Sequence, residues 1–385
     1  MRRRIDKSNT TSKAEKAFKM LSISLALLSV LIFSAYGAVL WFIEPPQPGV
    51  GQMTRPPQHT VHLTGSGGGS SETGESQNTE HITIPRPDVE EGVWRNGVFS
   101  VLILGEDDGF GGPDVIMLAL FDTNVPSLDV LSIPRDTVVN VPWGLKKINS
   151  VQAFFRQLPG DHPHYVDAMA EQVGKLVGHI PQNWITLDLR GFINLVDAIG
   201  GVEFYVPQNM VYNDPYQDLV INLQRGLQRL NGNQAMQLVR FRSFPTGDIA
   251  RIGVQQDFLA ALSEQLLSMQ ALLAMNDLIR IFVDNVETDM TFRNLAFFAY
   301  ELLRLDAENI RFHAVDASIA NISDSVNGVS YVTLYVEPWL RLINSYMNPF
   351  TWQILAEDLE ILTRNLQDGQ FFTTNGAEFT NNWVR

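Results

Sequence analysis

Three apolar runs open the patterned part of the chain: VFSVLIL at residues 98–104, VIMLALF at 115–121 and LDVLSI at 128–133, separated by stretches rich in glycine, proline and aspartate. Runs of this length, with β-branched content and turn residues at their ends, predict buried strands. Beyond them the period lengthens. Apolar positions recur at helical spacing over residues 148–158, 165–176, 191–199, 232–241 and, at greatest length, 249–275. Residues 184–189, 202–206 and 310–315 read as further strands and 291–305 as a helix. Strands interleaved with helices predict an α/β fold whose mixed sheet is covered on both faces. Residues 337–385 carry helical spacing around Trp339, Leu340, Leu342 and Ile343 and then turn polar, so the first half is expected to pack on the domain and the end to stay loose. There is no internal repeat.

The pattern upstream is different in kind. Residues 20–43 contain no charged residue, a run long enough to cross a bilayer as a helix. Seven basic residues (Arg2, Arg3, Arg4, Lys7, Lys13, Lys16 and Lys19) and two acidic ones precede the run, and the next basic residue after it is Arg55. The positive-inside rule then puts residues 1–19 in the cytoplasm and everything after Ile43 outside. A cleavable signal peptide, with Ala35 and Gly37 as its small-x-small site, is the competing reading; the length of the apolar run favours an uncleaved anchor. Residues 44–97 hold PPQPG, RPPQ and TGSGGGSSETGESQNTE, a composition expected to form a flexible tether. The expected organisation is a basic tail (1–19), an anchor (20–43), a linker (44–97), one domain (98–350) and a C-terminal extension (351–385).

Charge narrows the partners. The chain carries 28 basic and 42 acidic residues, net −14, and with the cytoplasmic tail set aside 21 and 40 remain, net −19. Nonspecific nucleic-acid binding requires basic stripes that displace counterions, so nucleic acid is excluded. There is no cysteine, hence no disulfide framework and no thiolate metal site.

Four local patterns carry candidate chemistry. Gly105-Glu106-Asp107-Asp108, a glycine-rich turn and Pro113-Asp114 lie between the first two strands. Asp107 and Asp114 suit either a hard divalent cation shared with a diphosphate or a well-solvated acidic loop. Pro134-Arg135-Asp136 follows the third strand, at the mouth of an α/β sheet where ligands bind; a surface ion pair of Arg135 with Asp136 is the competing reading. Lys146-Lys147-Ile148-Asn149 opens a helix, and Lys147 is either a phosphate ligand or a solvated helix start. LVRFRSFPTGDIARIGVQQ, residues 238–256, sets Arg240, Arg242 and Arg251 around Gly247-Asp248 in an acidic chain. If that backbone is extended, Arg240 and Arg242 face one side about Phe241. Asp248 fits a helix cap, and Arg251 and Gln255, four apart, share a helical face. Guanidinium forks match phosphate oxygens, and an ion-pair network with Asp248 and Asp257 is the alternative. The His162-Pro163-His164 loop lacks the spacing of a zinc site. No GxSxG elbow is present.

Taken in order, VLILGEDD, PDVIML, LSIPRDT, KIN, LDLRGFINLVDAIGGVEFYVP, LNGNQAMQLVRFR and GDIARIGVQQDFL resemble the LytR-CpsA-Psr family of bacterial envelope proteins, over about residues 98–350. The resemblance implies an α/β/α sandwich that binds a polyprenyl-diphosphate-linked glycan and, with Mg²⁺, transfers the phosphoglycan to a peptidoglycan hydroxyl. By position it assigns Asp107 and Asp114 to the metal, and Arg135, Lys147, Arg240, Arg242, Arg251 and Gln255 to the diphosphate. Asp248 would orient the arginines or act as base. Apolar faces around Phe192, Ile193, Val196, Leu259, Leu262 and Leu266 would sheath the lipid or pack as ordinary core. The chain departs from the family pattern where an arginine is usual: Gly109 after the first aspartate, Gly112-Pro113 before the second, and Val254 before the paired glutamines.

Overall fold

The computed structural model describes residues 43–46, 93–106, 112–158, 164–214, 219–241, 243–244, 248–266, 284–326, 328–365 and 370–378. The expected anchor, apart from Ile43, and nearly all of the expected linker lie outside these residues. No helix among the described residues is long and apolar enough to cross a membrane.

In chain order the main unit runs β1 (Val98–Glu106), β2 (Val115–Asp122), β3 (Ser127–Ser132), β4 (Val138–Val141), β5 (Gly144–Lys147), α1 (Asn149–Gln157), α2 (Tyr165–Val177), β6 (Asn183–Asp188) and α3 (Leu189–Ala198). It continues through β7 (Val202–Val206), β8 (Met210–Asp214), β9 (Leu219–Leu223), β10 (Gly226–Leu230), α4 (Gly232–Arg240), α5 (Asp248–Leu266) and β11 (Val286–Thr288). After helix α6 (Phe292–Leu302) come β12 (Ile310–Ala314), β13 (Ala320–Val326), β14 (Val329–Leu334), α7 (Val336–Leu342) with a π turn at Ile343–Met347, β15 (Leu362–Arg364) and β16 (Phe371–Thr373). Six strands form the central sheet in the order β11-β6-β1-β2-β3-β12. β1, β2 and β3 are joined antiparallel, β6 and β12 add on parallel, and β11 closes one edge antiparallel, so the sheet is mixed as the alternation of elements predicts.

Period-2 alternation decides which side each strand residue faces. Leu102, Leu104, Ile116, Leu118, Leu120 and Leu131 share one face and join the main core with Val151 of α1 and Met169, Val173 and Leu176 of α2. Phe99, Val101, Ala119, Phe121 and Val130 on the other face are buried too, so the sheet is covered on both sides. Helix α2 ends at Gly178, whose φ of 87° is the left-handed cap that favours glycine, and the Trp339 indole donates to the Leu176 carbonyl at 2.7 Å, pinning α7 to it.

A second core lies under a long two-stranded ribbon. β7 pairs with β10 and β8 with β9, the register moving by one residue between the two ladders. Its inner residues Phe204, Val206, Met210, Ile221 and Leu223 pack with Val196 of α3, Leu238 of α4 and Phe258 and Leu262 of α5. Phe192, Leu259 and Leu266 are partly buried and pack against the same cluster.

Three differences from the expectations have local causes. Helix α3 starts at Leu189, two residues early, because the Asp188 carboxylate accepts from the Gly191 amide at 2.5 Å and caps it. Arg240 is not in extended backbone: it is the last residue of α4, and only Phe241, buried as the cap, is extended. The stretch expected to be loose is folded as far as β16, since Ile354, Leu359 and Ile361 complete the main core and β15 pairs with β16.

Residues 43–46 and helix α6 form a unit of their own, in which Glu44 pairs with Arg293 at 3.0 Å and its carbonyl accepts from the Asn294 side chain at 3.0 Å.

Candidate functional site at the carboxyl end of the sheet

β1, β3 and β6 all end at one edge of the sheet, and the antiparallel β2 begins there. Gly105 is the last residue of β1 in register, opposite Val115, and the Asp114 amide donates to the Gly105 carbonyl at 3.0 Å. Asp114 therefore lies against the last residue before Glu106, and Glu106 itself shares the face of Leu104, which packs in the main core with α1 and α2.

Arg135 leaves the end of β3 behind Ile133 and Pro134, and its Nη1 pairs with the Asp114 carboxylate. Lys147, at the end of β5, reaches the Asp136 carboxylate at 3.0 Å, and its ammonium lies 5.9 Å from the centre of the Tyr331 ring. Arg135 Nε is 4.0 Å from that same Asp136 carboxylate. The backbone fixes the group: the Ile148 amide donates to the Thr137 carbonyl at 2.8 Å and the Asn149 amide to the Arg135 carbonyl at 3.3 Å, tying the start of α1 to the turn after β3. Gly112 lies so close to this start that a Cβ there would overlap the Asn149 carbonyl oxygen, which is why a side chain is absent at that position. Two aspartates, an arginine and a lysine from distant motifs are thus gathered at one strand mouth, all four side chains partly exposed.

A second ion pair lies beside the first and was given no role from sequence. Glu106 accepts from Gln152 Nε2 and pairs with Arg156 Nη2; both partners project from α1, one turn apart. The Arg156 guanidinium lies 4.2 Å from the centre of the Tyr165 ring, and the Tyr165 hydroxyl donates to Glu287 at 3.2 Å. Burial works against the charge of Arg156, but hydrogen bonds with Tyr165 and Glu106 raise its pKa above the ordinary arginine value, so it stays cationic. Burial likewise pushes the Tyr165 phenol up. The signal available in the sequence was the i, i+4 spacing of Gln152 and Arg156. It has no meaning until α1 is laid on the sheet face of Glu106.

The other predicted residues fall on α4 and α5. Arg240 closes α4, and Gln255 Nε2 donates to the Val239 carbonyl at 2.8 Å, fastening α5 to the last turn of α4. Helix α5 includes Asp248 as its first residue, one position inside the expected cap, and Arg251. The side chains of Asp248 and Arg251, and Asp107 and Arg242 altogether, lie outside the described residues. His162 is outside them too; His164 precedes α2 and stacks on Trp184 at 5.7 Å. Among the described residues no group of three His, Cys, Asp or Glu side chains converges as a metal site.

The LytR_cpsA_psr family model matches residues 61–341 of this chain. Among curated proteins, the chain is 28% identical over 202 residues to the regulatory protein MsrR of Staphylococcus aureus, covering 51% of this chain and 58% of that one. It is 36% identical over 160 residues to LcpB of Corynebacterium glutamicum, a probable cell wall biosynthesis protein, covering 41% of this chain and 35% of LcpB. Against TagU of Oceanobacillus iheyensis, a polyisoprenyl-teichoic acid–peptidoglycan teichoic acid transferase, identity is 27% over 237 residues, 60% of this chain and 70% of TagU. The chain thus spans less than two thirds of the length of MsrR and of LcpB. Among solved structures, Bacillus subtilis TagV superposes with TM-score 0.54 at 20% identity, covering 68% of this chain and all of TagV. TagT bound to LI-WTA superposes with TM-score 0.52 at 19% identity, covering 68% and 96%. At such identities the likeness is one of fold: a mixed α/β domain about a central mixed sheet.

Proposed function

The chain belongs to the LytR-CpsA-Psr family, and from that membership we propose that it is a membrane-anchored extracytoplasmic phosphotransferase. It moves a phosphoglycan from a polyprenyl-diphosphate carrier to a hydroxyl of peptidoglycan or another envelope acceptor. The observation that carries this reading is the convergence of Asp114, Arg135, Asp136 and Lys147 at the carboxyl end of the sheet. Its direction comes from TagU, whose stated activity is transfer of teichoic acid to peptidoglycan. The charge-free run at residues 20–43 supplies the anchor and the basic tail its orientation.

In this reading Arg135 and Lys147 neutralise the diphosphate from the sheet side, joined by Arg240 of α4, Arg242 after it, and Arg251 and Gln255 of α5. The acceptor oxygen bonds to the glycan-linked phosphorus as the bond from that phosphorus to the polyprenyl phosphate oxygen breaks. The hydroxyl proton leaves to a base, for which Asp248 is the candidate, and polyprenyl phosphate departs. Positioning and charge neutralisation suffice for such a transfer, which fits a sequence that carries no GxSxG elbow. The donor set suits Mg²⁺: Asp114 offers a hard, partly exposed carboxylate at the strand mouth, and Asp107 and substrate phosphate would complete the shell. There Mg²⁺ would offset the charge developing on the diphosphate.

The test is phosphate release from a polyprenyl diphosphate by the detergent-solubilised full chain with Mg²⁺. Wild type is expected to release phosphate and Arg135→Ala and Asp114→Ala to lose at least tenfold; undiminished release in either variant removes that residue from the mechanism. A second reading, lipid-diphosphate binding without turnover, is favoured by one observation: Gly112 is pressed against Asn149, so no cation can stand there. Tight binding with no release across divalent metals would select it.

A further inference from the structure

We infer that Arg156 is a substrate-binding residue of this site: a second guanidinium on the sheet side of the proposed diphosphate position, held ready by Glu106 and Tyr165. The inference rests on the diphosphate reading above and extends it to a residue that reading does not use.

Three observations carry it. The first is placement. The Asp114 amide donates to the carbonyl of Gly105, the residue before Glu106, and α1, whose Asn149 amide donates to the Arg135 carbonyl, lays Gln152 and Arg156 on Glu106, so the pairs Glu106–Arg156 and Asp114–Arg135 lie at one strand mouth. The second is the hold on Arg156. Glu106 takes one amino group and the Tyr165 ring supports the plane at 4.2 Å. A guanidinium carries five N–H donors, so a fork engaged by Glu106 and Tyr165 keeps others for phosphate oxygens. The third is exposure. The Arg156 side chain is 29% exposed and Arg135 28%, an equal openness at the same mouth.

Glu106 then acts as a parking partner. In the free protein it neutralises Arg156 next to the Arg135–Asp114 pair; when a diphosphate arrives the phosphate oxygens share the fork. The carboxylate competes with the ligand. Removing its charge should therefore tighten anion binding, whereas removing the guanidinium should weaken it. A structural clamp predicts the same sign for both changes, because each breaks the one ion pair.

The experiment is calorimetric titration of geranylgeranyl diphosphate, with Mg²⁺, into the full chain in detergent, for wild type, Arg156→Ala, Arg156→Lys, Glu106→Gln and Arg135→Ala. Arg156→Ala is expected to raise Kd by tenfold or more, Arg156→Lys to restore it in part, and Glu106→Gln to lower Kd a few-fold. Unchanged binding in Arg156→Ala, or weaker binding in Glu106→Gln, overturns the inference. If Arg156→Ala does not fold, Arg156→Lys and Glu106→Gln still decide by their signs. Arg135→Ala separates the two readings. Binding that depends on Arg135 and not on Arg156 sinks this inference alone, whereas binding indifferent to Arg135 sinks the site itself.

Discussion

Strand β3 leads to two aspartate–arginine encounters with opposite characters. In its middle, Asp129 is closed in: its side chain is 6% exposed, and Arg311, its direct partner on β12, grips it with Nε at 2.8 Å and Nη2 at 2.6 Å. His313 Nε2 lies 2.8 Å from the same carboxylate and stacks on Tyr346 at 4.1 Å. Just past its end, Arg135 meets Asp114 in the open, 28% and 40% exposed. A buried carboxylate with several donors fixes the edge strand in register and has no capacity for a ligand. An open pair costs little to part, and that is the property a ligand site needs.

The largest effect should follow from breaking the closed pair. Asp129→Ala leaves Arg311 and His313 without their anion; the Arg311 side chain is itself 48% exposed and can hydrate, so a loss of about 1–3 kcal/mol is expected from urea unfolding, the range for polar groups that lose a hydrogen-bond partner. Burial alone would raise the Asp129 pKa, but hydrogen bonds from His313 and Arg311 outweigh it and hold the carboxyl below its usual 3.8. A depressed carboxylate stabilises the fold above its unfolded pKa and loses that contribution as pH falls through the folded value. The Asp129 contribution should thus be intact at neutral pH and vanish only below about pH 4. A loss under 1 kcal/mol in Asp129→Ala would show that the closed pair is no clamp.

A second acid-sensitive group makes a contrast with it. His179 is fully buried between Trp94 and Phe350, with ring centres 5.4 and 6.2 Å away, and neither ring nitrogen has a hydrogen-bond partner. Burial pushes its pKa down from 6.5 to about 3, outweighing the nearby Val177 backbone, which raises it but makes no well-aligned hydrogen bond to the ring. The unfolded chain therefore binds a proton that the folded chain does not between those values, and stability should fall by about 1.4 kcal/mol per pH unit as pH drops from 6.5 towards 3. At pH 5 the deficit is about 2 kcal/mol. His179→Leu should flatten this slope in urea titrations at a series of pH values; an unchanged slope would assign the acid sensitivity elsewhere. Between pH 6.5 and 4 the decline belongs to His179, and Asp129 adds to it only below.

These two groups also mark what sequence can convey. The first three strands and helices α1 to α4 were legible because each buries one side at a regular period: Leu102, Leu104, Ile116 and Leu118 could hardly be placed elsewhere. The ribbon strands β8, β9 and β10 were not. In MVYND and LVINL the exposed Val211 and Val220 are as apolar as the buried Met210 and Ile221, so alternation carries no signal until the second core selects a side. The short pairs β4–β5 and β15–β16 have three or four residues a strand, too few to show a period. At the candidate site, Arg135, Lys147 and Asp114 could be singled out in the sequence as charged residues at turn positions, and the structure gathers them at one strand mouth. Their partners were not: Asp129 and Arg311 lie 182 residues apart and Glu106 and Arg156 lie 50, and only strand register and the seating of α1 bring each pair together.

The smallest effect on stability should come from the open pair, and that smallness is the argument for its use. Arg135 and Asp114 are both partly exposed, and pairs of this kind contribute about 0–1 kcal/mol. Arg135→Ala should therefore unfold in urea within 1 kcal/mol of wild type while losing phosphate release and diphosphate binding. The backbone contacts that hold the turn, from the Asn149 amide to the Arg135 carbonyl and from the Ile148 amide to the Thr137 carbonyl, do not involve the side chain that is removed. If Arg135→Ala instead cost 3 kcal/mol or more, Arg135 would be a second Arg311, a structural cation near a surface, and the distinction between the two ends of β3 would collapse. If stability holds and ligand affinity falls, the free energy in that arginine is reserved for an anion that comes from outside the chain.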